Sequence, residues 1–226
     1  MGKIFENLNL VLLIGIVAAV ALMMAPYYAP ATIAIGLLQW LHVFFGVLWI
    51  GLLYYFNFVQ IPTMPTVPAE LKPGVSKYIA PKALFYFRWG AAFTVLTGLI
   101  LAYLYGEEKS LLLNDPSNRL IGIGMWLALI MAFNVWVIIW PNQKKALGLV
   151  EADDATKAKA ARTAMLASRI NVLLSIPMLL AMTNFRYSSQ DKCQVRQPDW
   201  RTWNRRSSIA GSFHLGSSAR ARLKSR

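Results

Sequence analysis

A chain of 226 residues with 57% hydrophobic side chains is too apolar for an ordinary soluble domain. The formal charge of +13 is unevenly placed: residues 1–185 hold 13 Lys/Arg against 8 Asp/Glu, and residues 186–226 hold 10 against 2. One cysteine, Cys193, excludes an internal disulfide and a multi-thiolate metal site, and without a Cys-x-x-Cys-His motif the chain carries no covalent c-type haem.

Several uncharged runs near 20 residues predict an all-α, polytopic transmembrane helical bundle of about five spans over residues 1–185. The first span covers about 8–28, read as an uncleaved helix because Met23-Met24-Ala25-Pro26 makes a poor cleavage region. A tight turn between Pro26 and Pro30 leads to the second span, about 32–61, thirty residues without a formal charge. Five prolines (62, 65, 68, 73 and 81) mark an irregular loop before the third span, about 84–105. A short polar loop precedes the fourth span, about 120–140, with Pro141 at its exit. The Ala-, Lys- and Arg-rich stretch 149–168 reads as a surface helix. A fifth span of about 169–185 is marginal, being short and holding Pro177. Residues 186–226, basic and without an apolar period, read as a disordered tail, and their charge alone specifies no nucleic-acid partner.

With five spans, one side of the bilayer receives ten loop and terminal Lys/Arg residues and the other only Lys109 and Arg119. The positive-inside rule puts the first side, with the N-terminus, in the cytoplasm. The ten basic residues of the tail then fall on the wrong side.

Polar groups inside the spans have lipid for a neighbour unless they face other helices. On a uniform helix His42, Trp49 and Gln60 share one stripe and Asn57 lies 60° away. Threading places Asn57, Gln60, Arg88, Asn134, Asn142, Gln143, Arg169 and Asn171 towards the cytoplasmic ends, with His42 about 15 Å below the other surface. Each has a plain structural alternative. Arg88 can snorkel to phosphates, Asn134 can bond a neighbouring helix, and Trp89, Trp136, Trp140, Tyr54 and Tyr55 can form an interfacial belt. Gly46, Gly51, Gly90 and Gly98 suit close helix packing. His42 either bonds across helices or ligates haem iron, and no second histidine lies in a span to complete an axial pair.

The strings WLHVFFGVLWIGLLYYFNFVQIP (40–62), PKALFYFRWGAAFTVLTGLI (81–100), NVWVIIWPNQKKALG (134–148) and AARTAMLASRINVLLSIPML (160–179) resemble the urate oxidase N-terminal membrane domain. The resemblance runs from about residue 8 to Met182. It implies an inner-membrane oxidoreductase of purine breakdown that passes electrons from urate to a cytochrome. Carried over, the motif residues are His42, Asn57, Gln60, Arg88, Trp89, Asn134, Trp136, Asn142, Gln143, Lys144, Arg169 and Asn171. Arg with amides suits an anionic purine's charge and its carbonyl and N–H edge, and tryptophan can stack on its face. On this reading His42 holds a haem b, and a separate c-type cytochrome replaces the cytochrome domain that larger relatives carry. The alternatives are a purine-binding or transport module and a structural membrane subunit, with a homo-oligomer open in each case.

Overall fold

The computed structural model describes residues 2–24, 32–114 and 118–188. Every regular element among them is helical. After a short turn at Gly2–Glu6, α1 is Leu8–Met24, 17 residues and apolar. Four longer rods follow: α2 (Ile33–Thr63), α3 (Lys72–Tyr105), α4 (Arg119–Ala146) and α5 (Asp154–Ser188). All four are long and apolar enough to cross a bilayer. The marginal member is therefore α1, at the lower limit of spanning length, and not the last helix.

The rods form two hairpins of one plan. α2 packs on α3 and α4 on α5, and α1 touches the rest only lightly. In each hairpin the first rod ends in a π-helical turn followed by a proline. Tyr55–Gln60 precedes Pro62, and Asn134–Ile139 precedes Pro141. A third π turn, Val75–Ile79, precedes Pro81 near the start of α3. Proline lacks an N–H and its ring collides with the carbonyl four residues back. The residue before each proline instead bonds five residues back: Ile61 to the Phe56 carbonyl, Ala80 to Val75 and Trp140 to Val135. The wider turn lets the helix pass through the proline unbroken. All three prolines lie where the hairpins turn back, here named the proline end.

Several expected boundaries shift for this reason. The loop expected over 62–83 is largely helix: α2 runs on to Thr63 and α3 begins at Lys72, twelve residues before the expected Leu84. α4 likewise continues past Trp140 to Ala146. The surface helix 149–168 and the span 169–185 are one helix. Ala-rich sequence without Gly or Pro from residue 154 to 176 gives it no reason to stop, and the composition change at Ser168 is only a change of surroundings. α1 ends at Met24, and residues 25–28 of the expected first span lie outside the described residues. The expected tail begins inside α5, which reaches Ser188; its remainder also lies outside them.

Asp153 caps the start of α5 with its carboxylate, accepting from the Thr156 backbone N–H at 2.7 Å and from the Thr156 hydroxyl at 2.8 Å. Those bonds, the backbone one foremost, hold its pKa below the usual carboxylate value. Along α5 the residues Ala160, Ala164, Ala167, Ser168, Asn171, Ser175, Met178 and Ala181 are buried at three- and four-residue spacing. This stripe of mostly small side chains lets α4 come close. A methyl group on Gly124 would sit 3.0 Å from Ala181 Cβ. Gly90 serves α2 and α3 in the same way, its absent Cβ lying 3.3 Å from the Trp49 backbone nitrogen, whereas Gly51 has nothing within 4 Å. The core joins Trp49, Leu53 and Phe56 of α2 to Leu84 and Phe87 of α3, Met131 and Val135 of α4, and Ala167 and Met178 of α5.

Candidate functional site

A cavity of about 370 Å³ opens at the proline end, where the two hairpins meet. Two of the three π turns contribute to it: Phe56 and Gln60 from that of α2, Ile139 from that of α4. Leu84 and Phe87 of α3 form a further apolar wall, with the Phe56 and Phe87 rings edge to face at 5.7 Å. The polar lining comes from Gln60, Gln143, Arg162 and Ser168. No carboxylate lines the space, so its charge is that of Arg162. A few convergent polar groups in an apolar hollow suit a small organic ligand.

Two amide oxygens here are buried without a hydrogen-bond partner, Gln60 Oε1 and Asn57 Oδ1. The orientation of Asn57 is fixed chemically. Its Nδ2 donates to the Leu53 carbonyl at 2.8 Å and to Ser168 Oγ at 2.7 Å, and a carbonyl accepts only from a donor. Oδ1 is therefore an unmet acceptor beside Ser168, which lines the cavity. Unmet acceptors attract ligand N–H groups.

Asn171 and Asn142 serve the backbone. Asn171, fully buried, donates to the Met131 carbonyl at 3.0 Å and accepts from Asn134 Nδ2 at 2.9 Å. Asn142 Nδ2 donates to the Ile138 carbonyl at 2.8 Å. Leu53, Met131 and Ile138 all stand at or beside a π turn, where the ladder of backbone bonds is disturbed and an amide can supply a donor. Arg169 and Trp89 are exposed, and Trp89 meets Trp136 edge on at 5.8 Å. Arg88 stacks its guanidinium on Trp140, 3.2 Å from the ring centre, and does not line the cavity. Tyr54 ties α2 to α5, its hydroxyl donating to Ser175 Oγ at 2.9 Å. Ser175 Oγ itself donates to the Val172 carbonyl.

His42 stands apart from this group, between α2 and α3. Its Nδ1 lies 2.9 Å from the Thr94 carbonyl and 3.2 Å from Thr97 Oγ1. Both can accept, because Thr97 gives its own proton to the Phe93 carbonyl at 2.6 Å. Nδ1 therefore carries the hydrogen and Nε2 the lone pair. Gly98 makes room for the ring: a methyl group there would lie 2.8 Å from His42 Cε1.

Sequence reasoning passed over Arg162 and Ser168. Once α5 is taken as one helix, Ser168 falls on the same face as Asn171 and Ser175, three and seven residues on, and that spacing would have found it. Arg162 counted there only as a topology signal.

Two long-helix hairpins with a largely apolar cavity between their ends define the class: a polytopic helical membrane protein whose candidate site is built from both halves. Residues 117–196 match the model of the urate oxidase N-terminal family, the family that the sequence strings resemble. The matched interval contains α4 and α5, and with them Ile139, Gln143, Arg162 and Ser168 of the cavity. It extends beyond Met182, where the string resemblance ends, and leaves out the strings at 40–62 and 81–100. No curated protein and no solved structure matches the chain.

Proposed function

We propose that the cavity at the proline end binds an oxopurine such as urate, and that the chain is the membrane module of a urate-oxidising system. The observation that carries this reading is Gln60 Oε1, an acceptor buried without a partner in the lining of a cavity whose single charge is positive. Urate presents ring N–H groups to such acceptors. Its anionic charge and carbonyl edge suit Arg162 and the Gln143 amide, and its flat ring suits the faces of Phe56 and Phe87. The family match over 117–196 supports the choice of urate within the class of planar anions. With the Lys/Arg-rich loops inside, the cavity opens towards the cytoplasm.

Radiolabelled urate will bind saturably to the detergent-purified chain. Gln60→Leu and Arg162→Gln will each weaken binding by about tenfold, the loss expected for one hydrogen bond to a charged ligand. Trp89→Leu, on an exposed residue, will leave binding unchanged. Urate that binds Gln60→Leu as tightly as the parent would overturn the assignment.

The redox part of the reading rests on His42. A histidine that ligates a metal holds its other ring N–H on a carbonyl or carboxylate, as Nδ1 does here on Thr94, and Nε2 then has the lone pair to give. A haem b there would supply a one-electron acceptor, with a separate c-type cytochrome as the next carrier. The purified protein will show a Soret band that His42→Ala abolishes. A colourless protein that still binds urate would reduce the assignment to purine binding or transport.

A further inference from the structure

Arg88 lies within a membrane-spanning rod and has no carboxylate partner. Among the described residues the single ion pair is Lys157 with Asp154, at the start of α5. The Nε and Nη1 atoms of Arg88 are buried without a hydrogen-bond acceptor. What covers the guanidinium is aromatic: Trp140 at 3.2 Å and Trp136 at 5.9 Å from ring centre to Cζ. A second cation shares the same indole, since Lys144 Nζ lies 5.6 Å from the Trp140 ring centre. Two positive charges around one indole, without a neighbouring acid, leave an uncompensated charge where the surroundings are poor in water. Stacking on tryptophan stabilises a cation only in part, and a charge at this depth needs a counter-ion.

We propose that Arg88, Trp140 and Lys144 form a site for a phosphate group, and that its source is the headgroup of an anionic phospholipid. None of the three residues lines the cavity, so this site is separate from the proposed purine site. Stacking on Trp140 shields Nε and Nη1 and leaves the Nη2 edge of the guanidinium, with Lys144, to meet phosphate oxygens. Arg and Lys differ usefully here, the planar guanidinium fixing direction and the ammonium adding a mobile point charge.

The neighbouring surface favours a lipid over a free anion. Trp89, Trp136 and Phe93 are exposed beside Arg88, and the rings run on in contact. Trp89 meets Trp136 at 5.8 Å and Phe93 at 5.7 Å, and Phe93 stacks on Phe45 at 4.9 Å. This apolar track leads from the cation pair along α3 and offers a bed for an acyl chain below a bound headgroup. A soluble phosphate would gain nothing from it. Basic pockets between spanning helices hold anionic headgroups by the same physics.

Native mass spectrometry of the full chain, released from detergent with phosphatidylglycerol or phosphatidylcholine added, tests the proposal. One phosphatidylglycerol will be retained in preference to phosphatidylcholine, because the paired cations select net negative charge. Arg88→Gln and Lys144→Gln will each lower its retention by about tenfold, the usual effect of losing one charge-assisted bond. A thermal unfolding scan checks that both variants are folded, and Arg88→Lys, which keeps charge without the planar stack, will restore retention only in part. Millimolar inorganic phosphate will not displace the lipid. Equal retention of the two lipids, or retention unchanged in folded Arg88→Gln, would overturn the site, and displacement by free phosphate would overturn the lipid as its occupant.

Discussion

Asn171→Ala will destabilise the bundle by about 2–4 kcal/mol, measured as unfolding of the detergent-purified chain in a denaturant titration. The side chain is fully buried and joins α5 to α4 at two points, the Met131 carbonyl and the Asn134 amide. Its removal leaves Asn134 Nδ2 without its acceptor, at about 1–3 kcal/mol for a buried group, and opens a small void as well. Hydrogen bonds between spanning helices average only about 0.6 kcal/mol when measured pairwise, so the bond alone would not give this figure. The orphaned partner decides it. Asn134→Ala in the Asn171→Ala background should therefore cost about 1 kcal/mol less than it does alone. Strict additivity of the two substitutions would show that the amides do not act as a pair.

Gly122→Ala will destabilise by about 3 kcal/mol in the same assay. A methyl group there would overlap the Ser110 carbonyl oxygen, and Leu113 Cδ2 would stand 2.8 Å away. The Leu113 side chain can swing aside, but the carbonyl cannot easily move. Its turn, Glu108–Leu112, is tied to α4 by the Trp126 indole N–H donating to Leu111 O at 2.8 Å. Arg119 Nε adds a bond to the Leu113 carbonyl at 3.2 Å. Alanine ordinarily favours a helix over glycine by about 1 kcal/mol, and overpacking a rigid contact costs more than that. Gly51→Ala is the matched control. With nothing within 4 Å of its absent Cβ, it should be neutral or gain up to about 1 kcal/mol. Equal effects at the two positions would show that helix propensity, and not the Ser110 contact, governs both.

Much of the fold was legible from uncharged length alone, because a run such as 32–61 admits few other structures. The misplaced boundaries of α2, α3 and α4 share one cause. Pro62, Pro81 and Pro141 look like stop signals, since an α-helix cannot carry proline in its interior without losing a bond, and the π turns that absorb them leave no pattern in hydropathy. The amides follow from the same fact. Asn57, Asn142 and Asn171 looked like substrate ligands by depth, yet each gives an Nδ2 hydrogen to a carbonyl at or beside a π turn. Of the expected site residues the cavity is lined by Gln60 and Gln143, joined by Arg162 and Ser168. Those last two could be assigned only after α5 was seen to continue through Arg169.

A π turn holds one residue more than regular winding would need, so every side chain beyond it is set back by about 100°. Angular bookkeeping at a constant increment is thus sound along α2 as far as Tyr54 and fails at Gln60. That phase slip separates the two polar regions of one rod: the imidazole at position 42 is turned to α3, while the amide at position 60 opens on the space between hairpins. Had the rod been wound uniformly, both groups would have shared a single azimuth, and one hairpin would have had to accommodate them both.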